Sequence, residues 1–318
     1  MSTESSMRIA AAQLAPVFLD RAATLAKLVD AVAAAAAEGA RLVAFGEALL
    51  PGYPVWVAST DGARFDAPDQ KALHAKYLEQ AVTLEDGHLE PLVAAARRHR
   101  IAVILGIAER PLDRGGHTLY CSRVCLGPDG ALLSVHRKLM PTYEERLAWG
   151  TGDGAGLVTH RIGEFTLGTL LCWENWMPLA RAALYAAGEN LHVALWPGAE
   201  RNTRDITRMI AREGRSYVLS VSGLLRGGDI PAGVPERSRF AGEAGTLLHD
   251  GGSCLAGPDG EWIIAPIVGE ERIAVAEIAL DRVREERQNF DAAGHYARPD
   301  VLRLLVDRRR QRAAEFAD

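Results

Sequence analysis

The stretch RIAAAQLAPVFLDRAATLAKLVDAVAAAAAEGARLVAF, residues 8–45, decides the fold class. Arg8–Leu14 is a short, mostly apolar run and predicts a strand. From Asp20 to Glu38 the pattern changes. Leu25, Leu28, Val29 and Val32 recur at helical spacing, and Gly39 suits a C-terminal cap. Arg41–Phe45 is apolar again but too short for a helix, and reads as a buried strand. The alternation continues with an amphipathic segment at His88–Arg98 and the run AVILG at Ala102–Gly106. Strands alternating with helices of this length predict an α/β fold.

Downstream the elements change character. Gly127-Pro128-Asp129-Gly130 separates the strand-like runs Leu119–Leu126 and Ala131–His136, which predicts a hairpin. The same signal recurs at Gly257-Pro258-Asp259-Gly260, between Ser253–Ala256 and Glu261–Ala265. Phe165–Leu171, His192–Leu195, Tyr217–Val221 and Ile273–Ile278 read as strands. Leu179–Ala187, Ile206–Glu213 and Leu280–Phe290 read as helices. No Pro/Ser/Gly-rich linker interrupts the series. The reading is one domain over residues 1–293 and a C-terminal arm over 294–318, interface-forming or partly flexible, whose end, Arg308–Asp318, is charged and exposed.

Composition narrows the function. The chain has 318 residues, 48% hydrophobic and 24% charged, an ordinary globular balance. At this length about 75% of the unfolded surface can be buried without staples. With 36 basic and 41 acidic residues the net charge is −5, and no basic block offers a nucleic-acid or membrane surface. Four cysteines without paired spacing read as reduced thiols. The polar N-terminus has no secretory pattern, and the Ala31–Ala37 run is too short to span a bilayer. The expected setting is the cytoplasm. No His/Cys/Asp cluster has metal-ligand spacing and no G-x-G-x-x-G opens a helix, so neither metal nor nucleotide cofactor is expected.

Cys172 stands out. It follows the run Thr166–Leu171 and precedes Trp-Glu-Asn-Trp-Met-Pro and a helix, so its thiol sits at a strand-to-helix corner. Backbone N–H groups there face a developing anion, and the helix end favours a thiolate. A lone Cys is more commonly an inert core residue, the reading kept for Cys121, Cys125 and Cys254. None of the nine histidines has the context of a Cys-protease base, and His136 beside Arg137 and Lys138 would be a poor acceptor. Glu47 is a better base. It follows a buried strand, at the sheet edge where α/β sites gather. Lys138 ends another strand and can neutralise an anionic intermediate, with Glu145 nearby. Each also has a bland reading: a cap for Glu47, a solvated ammonium for Lys138 and a surface ion pair for Glu145.

Three blocks carry a resemblance. FGEALLPGYPVW (Phe45–Trp56), HRKLMPTYEERLAWGTGDG (His136–Gly154) and LCWENWMPLAR (Leu171–Arg181) resemble the signature blocks of the nitrilase superfamily. Glu47, Lys138 and Cys172 fall where that family has its Glu-Lys-Cys triad, in the family's order, with separations of 138 − 47 = 91 and 172 − 138 = 34. GHYARPDVL (Gly294–Leu302) is similar to a stretch near the end of nitrilases proper. Cys-Trp-Glu-Asn and Pro-Thr-x-x-Glu-Arg-x-x-Trp-Gly point to that branch. One departure is Gly46, where the family usually has Pro; glycine frees the backbone before Glu47.

The resemblance implies a four-layer α-β-β-α sandwich and hydrolysis of an organic nitrile to acid and ammonia. Cys172 would form the thioimidate and thioester, Glu47 and Glu145 would move protons, and Lys138 would hold the anionic adducts. Small-molecule nitrile and water are the expected partners. An amidase or cyanide-processing hydrolase of the same fold is the alternative, and an inactive scaffold a third. Tyr53, Tyr143, Trp173 and Trp196 are the expected substrate-binding aromatics, with Trp56 and Trp149 nearby, which favours aromatic or arylaliphatic nitriles. The helix Leu179–Ala187 has apolar residues on more than one face, so a homodimer is expected on it. Larger assemblies would use the second block and the arm after Gly294.

Overall fold

The structure, a computed structural model, describes residues 6–314; the first five residues, and the last four of the charged terminus, lie outside the described part. Strand β1 (Ser6–Gln13) pairs in parallel with β2 (Leu42–Phe45) and antiparallel with β13 (Arg272–Ala279). β3 (Ala102–Glu109), β4 (Tyr120–Leu126) and β5 (Leu132–Arg137) complete a six-stranded sheet in the order β13-β1-β2-β3-β4-β5. A second sheet runs β10-β11-β9-β8-β7-β6, with β12 paired to β11. It comprises β6 (His160–Ile162), β7 (Phe165–Leu171), β8 (Leu191–Trp196), β9 (Tyr217–Ser222), β10 (Leu224–Arg226), β11 (Leu247–Ala256) and β12 (Trp262–Val268).

Strand parity sorts the core into layers, because alternate side chains point to opposite faces. Ile9, Ala11, Leu42, Ala44 and Ile104 face Leu167, Leu171, Val193, Leu195 and Leu219 across the gap between the sheets. Ala10, Ala12, Val43, Phe45 and Val103 face outward. They are covered by α1 (Arg21–Ala37), through Leu25, Leu28 and Val32, and by α4 (Glu90–His99), through Leu92 and Ala96. On the far side, α6 (Glu200–Gly214) covers Ala194, Trp196 and Val218 with Ile206 and Ile210. There α5 (Pro178–Ala186) covers Leu170 with Ala180 and Leu184. The four layers are therefore helix, sheet, sheet, helix, as the resemblance implied.

Local chemistry sets the boundaries. Asp20 caps α1 by accepting from the Ala23 N–H at 3.0 Å, and Gly39 follows the helix in the left-handed region at φ +82°. Both Gly-Pro-Asp-Gly segments form the hairpin turns β4–β5 and β11–β12. Three α-helices escaped the sequence reading, α2 (Trp56–Ser59), α3 (Pro68–Gln80) and the short α7 (Arg237–Phe240). α3 buries only Leu73 and Tyr77, too thin a stripe to register as periodicity. α8 (Leu280–Arg287) follows β13. Beyond it the arm folds back on its own domain. Val306 joins Leu157, Leu170, Ala180 and Leu184, while Arg310 and the Gln311 N–H bond the buried Asp153 at 3.0 Å each. Among the described residues of the arm's end, most are exposed and Arg310 is half-buried on Asp153.

Gly46 has a different reason from the one expected. Its φ is not in the left-handed region; what excludes a side chain is proximity. A Cβ there would lie 2.6 Å from the Gly223 nitrogen and 3.0 Å from the Trp196 carbonyl oxygen, where the two sheets touch. The approach is sealed by the Glu47 N–H donating to the Trp196 carbonyl at 2.9 Å. Glycine thus tightens the placement of Glu47. Overpacking at such contacts typically costs about 1–3 kcal/mol. Gly46→Ala should lower stability by about that amount in urea unfolding, and wild-type stability would contradict the close approach.

Candidate active site

Four side chains converge where strands of both sheets end. Glu47 follows β2, Lys138 follows β5 and Cys172 follows β7, while Glu145 lies on the single turn Tyr143–Leu147. All four are almost fully buried. The Lys138 ammonium donates to Glu47 Oε1 at 2.9 Å and to Glu145 Oε2 at 2.7 Å. Its backbone is pinned on both sides, its N–H to the Cys121 carbonyl and its carbonyl to the Gly152 N–H, each at 2.8 Å. Glu145 also accepts from the Thr142 N–H at 2.6 Å and from the Tyr53 hydroxyl at 2.8 Å. Glu47 Oε2 is buried and has no hydrogen-bond partner, which leaves one basic oxygen free in the site.

Cys172 adopts φ +46°, a left-handed conformation that costs a non-glycine residue energy and that surrounding structure must enforce. The Cys172 sulfur and a carboxylate oxygen from each of Glu47 and Glu145 lie within 4.8 Å of one another. Such a trio can hold a cation, and Lys138, bonded to both carboxylates, already supplies the positive charge.

Burial governs the proton affinities. It pushes the Cys172 thiol well above its usual range, aided by Glu47, so the resting group is a thiol. The thiolate expected from the helix end is overruled, since desolvation outweighs a partial dipole. Burial pushes Glu47 up to about 8, against the opposing pull of Lys138 and with help from Glu145. Burial acts against the Lys138 ammonium, but Glu47 and the other surrounding anions hold it well above its ordinary value. Two carboxylates sharing one ammonium away from water cannot both ionise cheaply, and the excess proton rests on Glu47.

Sequence reasoning missed the groups that hold this arrangement. Glu174, fully buried, accepts from the Leu139 N–H and, at 2.8 Å, from the Leu171 N–H. These are the residues beside Lys138 and Cys172, so one carboxylate ties together the strand ends that carry both. His136 completes it, with Nε2 3.0 Å from both Glu174 oxygens. The expectation that His136 faces cations is thus corrected; Arg137 points the other way, onto Glu109 and Asp113. A second chain runs from Glu189 to His192 at 2.6 Å and from His192 to Asn175 at 2.7 Å. Asn175 then donates to the Cys172 carbonyl at 2.8 Å. No local pattern announces these pairings, because they join residues up to 38 positions apart.

A cavity of about 380 Å³ opens above Cys172, and Tyr53, Glu145 and Trp173 line it. Trp149 packs edge-on to Tyr53 at 5.5 Å beneath it. The other expected aromatics lie elsewhere. Trp196 is fully buried under α6, because even-numbered residues of β8 face the helices, and its indole N–H bonds Ser220 at 3.3 Å. Tyr143, at φ +48°, is 82% exposed and lines a neighbouring groove with Met140 and Met177. Trp56 is core, packed on Tyr77.

Residues 8–288 match the carbon-nitrogen hydrolase family. An aliphatic nitrilase of Sinorhizobium fredii (strain HH103) is 36% identical over 309 residues, covering 95% of this chain and 96% of that protein. An arylacetonitrilase of Macrophomina phaseolina (strain MS6) is 33% identical, covering 96% and 92%. Among solved structures, a carbon-nitrogen hydrolase from Helicobacter pylori G27 has a TM-score of 0.69 at 19% identity, covering 93% of this chain and 96% of that one. An amidase from Nesterenkonia sp. has 0.65 at 22%, covering 91% and 96%. These two show the shared fold.

Leaving a buried polar group without its hydrogen-bond partner typically costs about 1–3 kcal/mol. Glu174→Ala, which orphans His136 and two backbone N–H groups, should destabilise the fold by that order in denaturant titration. A loss below about 1 kcal/mol, the worth of an ordinary hydrogen bond, would contradict the clasp.

Proposed function

This chain belongs to the carbon-nitrogen hydrolase family, and we propose that it is a nitrilase, converting an organic nitrile and two waters to the carboxylic acid and ammonia. The observation that carries the reading is the buried group of Glu47, Lys138, Glu145 and Cys172, of which Glu145 and Cys172 line the cavity. Its near-full-length likeness to nitrilases supports it.

A nitrile carbon is a weak electrophile until its nitrogen takes a proton. Glu47 Oε2 accepts the Cys172 proton as sulfur attacks, and the proton passes to nitrogen, giving a thioimidate. Water, activated by Glu47, adds to that carbon. The carbon–nitrogen bond then breaks, ammonia leaves, and a thioester remains. A second water attacks the thioester, releases the acid and returns the proton to sulfur. Lys138 and the Trp173 N–H hold the anionic adducts, and Glu145 orients Lys138. The route needs no cofactor. An amidase would share the thioester half, and a cyanide enzyme would want a smaller cavity.

Tyr53 and Trp173 are the aromatics retained for substrate contact. The reading also includes a single catalytic domain, a cytoplasmic setting and a homodimer. No helix among the described residues is long and apolar enough to cross a membrane. α5 buries Ala180, Ala183 and Leu184 on its own sheet, while Trp176, Met177 and Leu179 at its start stay exposed. Such an apolar patch suits a second copy.

Ammonia release from a panel of nitriles, amides and cyanide tests the activity: nitriles should be turned over, and Cys172→Ala should abolish release. Turnover confined to amides would overturn the reading. General-base and oxyanion terms are typically worth at least about a hundredfold, so Glu47→Gln and Lys138→Ala should each lose that much in kcat. Near-normal turnover would remove that residue from the mechanism.

The pH dependence follows from Glu47. Below about 8 it carries the proton and cannot accept one from Cys172. The kcat/KM should therefore climb with pH, reach half its maximum near that value and level off above it; a flat profile from pH 6 to 9, roughly, would contradict the assignment. Light scattering tests the assembly, where a fully active monomer near 34 kDa would refute the dimer.

A further inference from the structure

His192 stands within β8, on the strand face that also carries Ala194 and Trp196 toward the helices. No part of it reaches water, and Glu189 and Asn175 are equally buried. Burying three polar side chains is costly unless each is bonded, and an aliphatic residue at 192 would fill the place without that cost. What the three deliver is one hydrogen bond, from Asn175 Nδ2 to the Cys172 carbonyl at 2.8 Å. The surroundings serve the same end. Arg181, clamped on Glu213 at 2.6 and 3.1 Å, donates to the Asn175 carbonyl at 2.8 Å. Arg287 donates to the Glu189 carbonyl. Gly168, the neighbour of His192 on β7, leaves room for the Glu189 carboxylate; a Cβ there would lie 2.3 Å from Oε2.

The bonds have a direction. An Asn amide can turn over and exchange its oxygen for its nitrogen. With Nδ2 on the Cys172 carbonyl, Oδ1 faces His192 Nε2 at 2.7 Å. An amide oxygen only accepts, so Nε2 carries a proton. Turned over, Asn175 would set its oxygen against the Cys172 carbonyl oxygen, acceptor against acceptor. His192 Nδ1 meets Glu189 Oε1 at 2.6 Å, a contact that closes around one further proton. Ring and carboxyl together hold two protons, and one of them is aimed at Asn175. The conformation held at the far end, Cys172 at φ +46°, persists only where its surroundings over-determine it.

We propose that His192 is a positioning residue for Cys172. Its Nε2–H fixes the Asn175 amide, and the amide holds the left-handed Cys172 backbone that presents the thiol to the cavity. The proposal rests on Cys172 being the nucleophile of the nitrilase reading. His192 itself bonds no reacting atom. Without its donor, Asn175 loses its orientation, the corner relaxes and the sulfur leaves its line of attack. A shift of about an ångström at a reacting atom can cost about a hundredfold in rate.

Two variants isolate the donor, both made with Glu189→Gln so that no buried carboxylate is stranded. His192→Leu keeps the bulk and removes the donor; His192→Gln returns an N–H near the place of Nε2. Two rates are measured per folded enzyme: kcat for ammonia release from a nitrile, and alkylation of Cys172 by iodoacetamide, followed by peptide mass spectrometry. In the Leu variant both should fall by at least about tenfold with KM nearly unchanged, and the Gln variant should recover most of both. A purely structural role would lower the folded fraction in both variants and leave the rates per folded enzyme alike, which would overturn the proposal. Nuclear magnetic resonance of wild-type protein with 15N-labelled histidine needs no variant to fold. His192 Nε2 should be protonated and slow to exchange with water, and a bare Nε2 would overturn the proposal. Alkylation needs no nitrile. A wild-type enzyme that alkylates as described but turns over only amides would sink the nitrilase reading and leave the positioning of Cys172 standing.

Discussion

A single ammonium, Lys138, lies buried between two carboxylates, and the rest of the site is arranged around that imbalance. Lys138 bonds Glu47 and Glu145 at 2.9 and 2.7 Å. In water the pairings would be worth little; here all three side chains are shielded, and the surplus negative charge is relieved by raising the proton affinity of Glu47. The consequence is chemical. A carboxylate poised near neutrality, with one free oxygen beside a thiol, is suited to carrying a proton back and forth. Neutralising Lys138 would leave two anions facing each other, and removing either anion would leave the cation underpaired.

The fold supplies this arrangement by bringing together ends of strands from both sheets. Glu47 is seated by the Trp196 carbonyl of the opposite sheet, a contact that needs Gly46 to lack a side chain. Lys138 is seated by Cys121 and Gly152, and Glu174 couples its strand end to that of Cys172. The strained backbone at Cys172 is held from below by Asn175, which is itself oriented by His192 and Glu189. Because every support is a backbone or buried side-chain contact, the constellation is preorganised before substrate arrives.

Much of this was legible in the residues. The alternating elements were readable because each buries one face with its own period, and Glu47, Lys138 and Cys172 were readable because each directly follows a strand. The layering into two sheets was carried only by the resemblance, since sheet order depends on pairings such as β1 with β13, remote in the chain. Trp196 was misjudged because an aromatic beside a signature block says nothing about strand parity, which turns it under α6. Tyr143 has a left-handed backbone and lies exposed on a neighbouring groove, a placement that its position in the signature block does not announce. Glu174 and Asn175 were quoted within a signature block, yet their partners, His136 and His192, could be found only in three dimensions.

The central claim is that Cys172, a thiol at rest, becomes the covalent carrier of the substrate's acyl group. Four cysteines are available and all are buried, so the claim is specific. The most direct measurement is acid quench of the enzyme during turnover of a nitrile, followed by peptide mass spectrometry. The account predicts an acyl thioester on the peptide containing Cys172 and on no other cysteine. Turnover with no adduct on Cys172, or with the acyl group on Cys121, Cys125 or Cys254, would contradict it.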